Sequence, residues 1–140
     1  MSMQARPEGT DASVDATEEL RQRVWKVEDR LFLMREVPIQ SPFTIDVMFD
    51  RLEELAAGLN RFAYAVDLTG VQRPDAPTRQ RLHDRVMRIN SRLAHVGVAV
   101  GGNVIIRAVA KLAAFAIGFR SVTFHMTVDE ALEACGRALR

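Results

Sequence analysis

The chain is poor in several residue types, and each shortage narrows what it can do. It has a single cysteine, Cys135, so an intramolecular disulfide is excluded and no Cys/His cluster suggests a structural zinc site. Its three histidines, His83, His95 and His125, stand far apart without metal-ligand spacing. Lysine is nearly absent: of 19 basic residues only Lys26 and Lys111 are lysines, and the formal net charge is +1. A near-neutral chain with 6% aromatic residues and no recognised nucleic-acid module gives no argument for nucleic acid as a partner. The longest apolar run, Val104 to Gly118, carries Arg107 and Lys111 and is too short to span a bilayer. The first ten residues contain no apolar stretch of the kind a secretory signal needs. A soluble, cytoplasmic protein is expected.

What the chain does contain is enough apolar material for one core. Its 140 residues are 48% hydrophobic and 26% charged, which is the size and balance of one domain. Residues 1–20 stand apart: they are polar and small, and hold Glu8, Asp11, Asp15, Glu18 and Glu19 against Arg6. A disordered acidic tail over 1–20 and an ordered domain over 21–140 follow.

Patterning along 21–140 alternates strands with helices. Val24-Trp25-Lys26-Val27 and Leu31-Phe32-Leu33-Met34 flank Glu28-Asp29-Arg30 as a hairpin. Ser41-Pro42 opens a helix with Ile45, Met48, Phe49, Leu52, Leu55 and Ala56 on one face, stopped by Gly58. Phe62 to Asp67 is a short apolar run suited to a strand buried on both faces. A loop over Leu68–Pro74 leads to a helix from about Asp75, with Leu82, Val86, Ile89 and Leu93 as its buried stripe. Val96–Val100 is predicted as a strand, Asn103–Gly118 as a helix and Ser121–Met126 as the last strand. Thr127 and Glu130 form a capping box for a final helix through Ala138. The order β-β-α-β-α-β-α-β-α predicts a single α/β domain with a mostly parallel sheet covered by helices.

A search for chemistry along this framework finds no catalytic group. Gly101-Gly102-Asn103 lacks both the dinucleotide fingerprint and a P-loop lysine, and reads as a tight strand-to-helix turn. His83 and His125 have no acid or nucleophile beside them in sequence, and Cys135 is spaced like a core residue of the last helix. Asp67 and Asp75 bracket a loop at the carboxyl end of a central strand, the end where such sheets place their sites. Arg81, Arg85, Arg88 and Arg92 recur at helical spacing, with Arg73 and Arg79 ahead of them. That stripe reads either as a solvated face or as a docking surface for an acidic or phosphate-bearing partner. The helix over Asn103–Gly118 is apolar almost all round, which leaves a surplus face for a dimer contact or a partner groove.

Asp67-Leu-Thr-Gly-Val-Gln-Arg-Pro-Asp75-Ala-Pro-Thr resembles the central strand, loop and helix start of STAS domains, the fold of bacterial anti-sigma factor antagonists. Those domains read D-L-S-G-V-x-x-[IM]-D-S-S-G there, with the same eight-residue step between aspartates. Val96–Val100, Arg107 with Lys111 and Leu112, Gly118-Phe119 and Asp129-Glu130-Ala131-Leu132 fall where such domains have their fourth strand, third helix, turn and final helix. The resemblance covers about residues 22–138. It implies a partner-docking surface of Thr69, Asp75, Ala76, Pro77, Thr78 and Arg79, to which Arg81, Arg85 and Arg88 add a charged flank. The family's phosphorylated serine corresponds to Ala76, so the usual switch is absent, and Thr78 and Thr69 are the substitute candidates for phosphorylation. The family's G-E-[LI]-D is replaced by Val37-Pro38-Ile39-Gln40.

The expectation is a non-enzymatic, regulatory STAS-like domain without metal or cofactor. It would bind a signalling protein of the anti-sigma factor or kinase type, or serve as a stressosome-type scaffold. The alternative is a small-molecule or lipid-binding module that uses the apolar helix over Asn103–Gly118.

Overall fold

The structure is a computed structural model that describes residues 16–102, 107, 108, 111 and 121–140. Its elements are β1 (Val24–Glu28), β2 (Leu31–Arg35), α1 (Pro42–Leu55), β3 (Phe62–Asp67), α2 (Ala76–Ile89), β4 (Leu93–Ala99), β5 (Val122–His125) and α3 (Val128–Leu139). The strands lie in one sheet in the order β1-β2-β3-β4-β5. The hairpin pair β1–β2 is antiparallel, and every later pairing is parallel. This is the single, mostly parallel α/β domain that the alternation of strands and helices predicts.

Local chemistry explains the boundaries. The Ser41 hydroxyl accepts from the Thr44 N–H, and the Thr44 hydroxyl accepts from Ser41 N–H in return, so α1 starts on a capping box with Pro42 in its first turn. Thr127 and Glu130 cap α3 in the same reciprocal way, as their spacing predicts. Leu93 departs from expectation: α2 ends at Ile89, a 3₁₀ turn spans Asn90–Arg92, and Leu93 begins β4 opposite Phe62. The turn is held by Arg92, whose guanidinium donates to the Ala56 and Leu59 carbonyls beyond the end of α1 at 2.6 and 2.9 Å. Ordered structure also begins before Arg21, because residues 16–21 are helical and Leu20 is buried. Most of the helix expected over Asn103–Gly118 lies outside the described residues; Arg107, Ala108 and Lys111 are helical.

The period-2 pattern of the strands sorts side chains by size. On one face Phe32, Met34, Phe62, Tyr64, Val96 and Val98 pack beneath Ile45, Met48, Phe49 and Leu52 of α1 and Val86 and Ile89 of α2. Phe32 meets Phe62, and Phe49 meets Tyr64, edge to face. On the other face Ala63, Ala65 and Ala99, with Leu31 and Leu33, meet Ala131, Cys135 and Leu139 of α3. Each large side chain so buried contributes about 1.5–3 kcal/mol, so the first face holds most of the apolar stabilisation.

The second face depends on shape. A methyl group placed on Gly97 of β4 would lie 2.6 Å from the Ala131 carbonyl oxygen, so α3 rests its backbone against the strand. Gly97→Ala is expected to lower the unfolding free energy by about 1–3 kcal/mol, read as a reduced denaturant midpoint with an unchanged slope. An unchanged midpoint would mean that α3 can withdraw at no cost.

Candidate functional site

The parallel strands deliver their carboxyl ends to one edge, and the chain there is stitched together by its backbone. The Asp67 carboxylate accepts from the Thr69 N–H at 2.9 Å and lies 3.2 Å from Arg35 Nε. Leu68 N–H donates to the Ala99 carbonyl at 2.8 Å, and Glu36 N–H to the Asp67 carbonyl at 3.1 Å. The Gln72 N–H then donates to the Pro38 carbonyl at 2.8 Å, which joins the loop after β3 to the loop after β2. Gly101 sits beside Thr69 with φ +61°, a backbone conformation that favours glycine.

Asp75 caps α2 by accepting from the Thr78 N–H at 3.0 Å. Thr78 holds the Asp75 carboxyl below its ordinary pKa: its hydroxyl faces the carboxylate without a well-formed hydrogen bond, and its amide makes one. Thr69, in the loop after β3, and Asp75, Ala76, Pro77 and Arg79, at the start of α2, are each exposed. Thr78 does not join them. It is 1% exposed, tucked under the first turn of α2, which corrects the expectation that its hydroxyl is open to phosphorylation. Thr69 keeps an exposed position.

The arginine stripe of α2 meets an acidic stripe on α1. Arg85 is buried and donates to Asp46 Oδ1 at 3.1 Å, Asp50 Oδ1 at 2.7 Å and Glu53 Oε2 at 2.8 Å, with its guanidinium over the Phe49 ring. Arg81 bonds Asp46, and Arg88 Nε lies 3.2 Å from Glu53 Oε1. The expectation of one open face across Arg81, Arg85 and Arg88 is thereby corrected: Arg85 is a clamp between two helices, and its neighbours are partly committed to the same acids. Asp46, Asp50 and Glu53 recur at i, i+4 and i+7, the same period as the arginines, and that matched acidic stripe is the signal that a reading of α2 alone misses. Large apolar side chains are exposed beside the stitched loops instead: Ile39 is 69% and Phe43 is 52% exposed.

Two buried polar groups also escape a reading by sequence spacing. Glu36, the residue after β2, is 5% exposed and its Oε1 has no hydrogen-bond partner. Burial pushes its carboxyl up to about 7, against smaller opposing contributions from Gln40, the Val37 amide and Arg23. His95 of β4 lies with Nδ1 2.5 Å from Ser121 Oγ and Nε2 2.8 Å from Thr123 Oγ1, and Thr123 Oγ1 is 2.6 Å from His125 Nε2. The β4–β5 pairing builds this chain from residues distant in sequence. Burial lowers the His95 pKa, with His125 and Arg137 adding to the effect, and both ring nitrogens lie within hydrogen-bond distance of hydroxyls. Cys135 is buried against the Tyr64 carbonyl at 3.3 Å, and burial raises its thiol to about 11, which leaves it protonated and inert. Among the described residues no group of three or more His, Cys, Asp or Glu side chains is placed to hold a metal ion. No helix among them is long and apolar enough to cross a membrane. The apolar helix on which a ligand-binding alternative depends lies mostly outside the described residues.

Arg85→Glu is expected to cost at least ~2 kcal/mol in chemical denaturation, somewhat less than the ~3–5 kcal/mol of a fully enclosed pair because Asp50 stays open to water. Arg79→Glu, on the exposed surface, is expected to stay within about 0.5 kcal/mol of wild type. Glu36 sets a pH dependence. Its folded carboxyl titrates near 7, above its ordinary 4.5, so the folded state binds the extra proton and stability falls as pH rises between those values. Glu36→Gln is expected to be more stable than wild type at pH 8, by up to roughly 3 kcal/mol, and by less than about 1 kcal/mol at pH 5. Thermal melts of both proteins at the two pH values provide the check, and equal differences at both would refute the assignment.

No protein-family model and no curated protein matches the sequence. A solved structure is similar in shape: the crystal structure of an uncharacterized protein from the DUF3478 family, with a SpoIIAA-like fold, from Shewanella loihica PV-4. It superposes with a TM-score of 0.64 over 80% of this chain and 90% of that one, at 13% sequence identity. At that identity the likeness speaks to the fold alone. The five-stranded, mostly parallel sheet flanked by helices that the described residues form matches this SpoIIAA-like fold.

Proposed function

We propose that this chain is a non-enzymatic regulatory domain that binds a signalling protein through the face at the carboxyl ends of β2 and β3. Thr69, Asp75, Ala76, Pro77 and Arg79 form the centre of that face, and Arg81 and Arg88 its charged rim. Thr78 and Arg85 support it from within by holding the start of α2 and its seat on α1. The partner class is the one that STAS-like antagonists and stressosome-type scaffolds engage in the cytoplasm, an anti-sigma factor, a kinase-like protein or another signalling component. Alanine at position 76 leaves no hydroxyl there to phosphorylate, so the binding face lacks the usual serine switch and Thr69 is the remaining exposed hydroxyl in this loop.

The observation that carries this reading is the bond between the two loops. Gln72 N–H to Pro38 carbonyl, at 2.8 Å, fixes Ile39 and the start of α1 beside the start of α2. Two large apolar side chains, Ile39 of the loop after β2 and Phe43 of the first turn of α1, stand in solvent, while the exposed Arg79 of α2 bonds the Pro74 carbonyl. Exposed apolar anchors within a polar rim on a pre-formed surface are the usual makeup of a protein-binding patch.

The test is affinity capture from host lysate with wild type, with Ile39→Asp/Arg79→Glu, and with Arg137→Glu on the exposed side of α3 as control. A signalling protein retained by wild type and control and lost with the double variant is the expected result. Retention by all three, or capture of nothing by wild type, overturns the assignment.

A further inference from the structure

Glu36 stands at the root of the 36–41 loop and is the one ionisable group there that is both buried and incompletely bonded. Its backbone N–H is tied to Asp67, two residues before the Pro38 carbonyl that receives Gln72. Its side chain lies on the sheet face that carries Tyr64, and the Glu36 charge adds to the effect of burial in raising the Tyr64 hydroxyl. Oε1 has no hydrogen-bond partner. Arg23 acts on Glu36 through its charge but makes no salt bridge to it: its Nη1 donates to the backbone carbonyls of Arg35 and Glu36 at 3.2 and 3.3 Å. Arg35 and Asp67, at the flanking strand ends, are paired with each other. On the helices above this face, the first charged residues are Asp46 of α1 and Arg79 and Arg81 of α2; Asp46 and Arg81 bond each other, and Arg79 bonds the Pro74 carbonyl. None of these cations is salt-bridged to Glu36, and the Gln40 side chain, the Val37 amide and the Arg23 charge offset only part of the burial.

We propose that Glu36 is a proton-operated latch for the proposed docking face. With the carboxyl protonated, the side chain stays buried and the 36–41 loop stays stitched to the loop after β3. With the carboxyl ionised, the charge must be hydrated, because a buried carboxylate with no ion partner is costly. Water is obtained most easily by lifting the short exposed segment Pro38–Ile39 away from Gln72. The titration range of a carboxyl raised by burial to about 7 places this transition near neutral pH. The docking face is thus pre-formed in mild acid and loosened in mild base.

The latch deepens the partner-binding reading, but its test needs no partner, so failure of one is distinguishable from failure of the other. Amide hydrogen exchange of the full chain is measured at pH 6 and pH 8, expressed as protection factors to remove the intrinsic pH dependence of exchange. The Gln72 amide, which is the donor in the stitch, is expected to lose protection severalfold, up to about tenfold, in wild type and less than twofold in Glu36→Gln. The amide of Val86 in α2 is expected to hold its protection in both proteins. A Gln72 protection that is independent of pH in wild type, or that falls equally in Glu36→Gln, overturns the proposal. Carboxyl carbon shifts of labelled glutamate supply the second readout: Glu36 is expected to titrate between pH 6 and 8, and titration near its ordinary value overturns the latch even if the loop moves.

Discussion

The close approach of α3 to β4 governs how the rest of the molecule is built. Gly97 leaves no side chain between the strand and Ala131, and Ala63, Ala65 and Ala99 keep the neighbouring positions low. A helix seated this deep fills its side of the sheet with backbone and small side chains. The bulk of the core must then lie on the opposite face, where Phe32, Phe62, Tyr64, Phe49 and Met48 supply it. Among the described residues α1 and α2 cover much of that thicker layer.

Those two helices are fastened by charge as well as by apolar contact. Arg85 lies between Asp46, Asp50 and Glu53 with its guanidinium on the Phe49 ring, so its charge is compensated where its stem is buried. The clamp fixes where α2 begins relative to α1, and hence where Asp75, Ala76 and Pro77 meet the outside. Charge that sequence alone offers to a partner is in this way spent inside the fold. The exposed surface beside it is left to Ile39, Phe43 and Arg79.

The carboxyl edge of the sheet combines a rigid frame with one weak place. Asp67, Thr69, Gln72 and Pro38 satisfy one another through backbone and carboxylate bonds. Glu36 is enclosed by the same frame with an oxygen left over. Its burial is stabilising only while the carboxyl keeps its proton, which couples the frame to the acidity of its surroundings.

Much of this was legible from residue order. The alternation of strand and helix, the capping box at Thr127, the cap at Asp75, the buried thiol and the Asp67-to-Asp75 spacing all rest on local patterns, and local patterns survive in a one-dimensional reading because their partners lie within a few residues. The departures have a common cause, partners that lie far off in the chain. Arg85 meets Asp46 across 39 residues, Arg92 bonds the Ala56 and Leu59 carbonyls and so holds the turn before Leu93, and His95 finds Ser121 and Thr123 only once β4 and β5 pair. The burial of Thr78 and Glu36 is likewise set by how α1, α2 and the two loops close over the sheet. The sequence by itself determined the elements, their order and the position of the loop that faces outward. Tertiary structure alone decided which charges are neutralised, which hydroxyls are covered and which apolar side chains remain in solvent, because burial and ion pairing depend on surfaces brought together from distant parts of the chain.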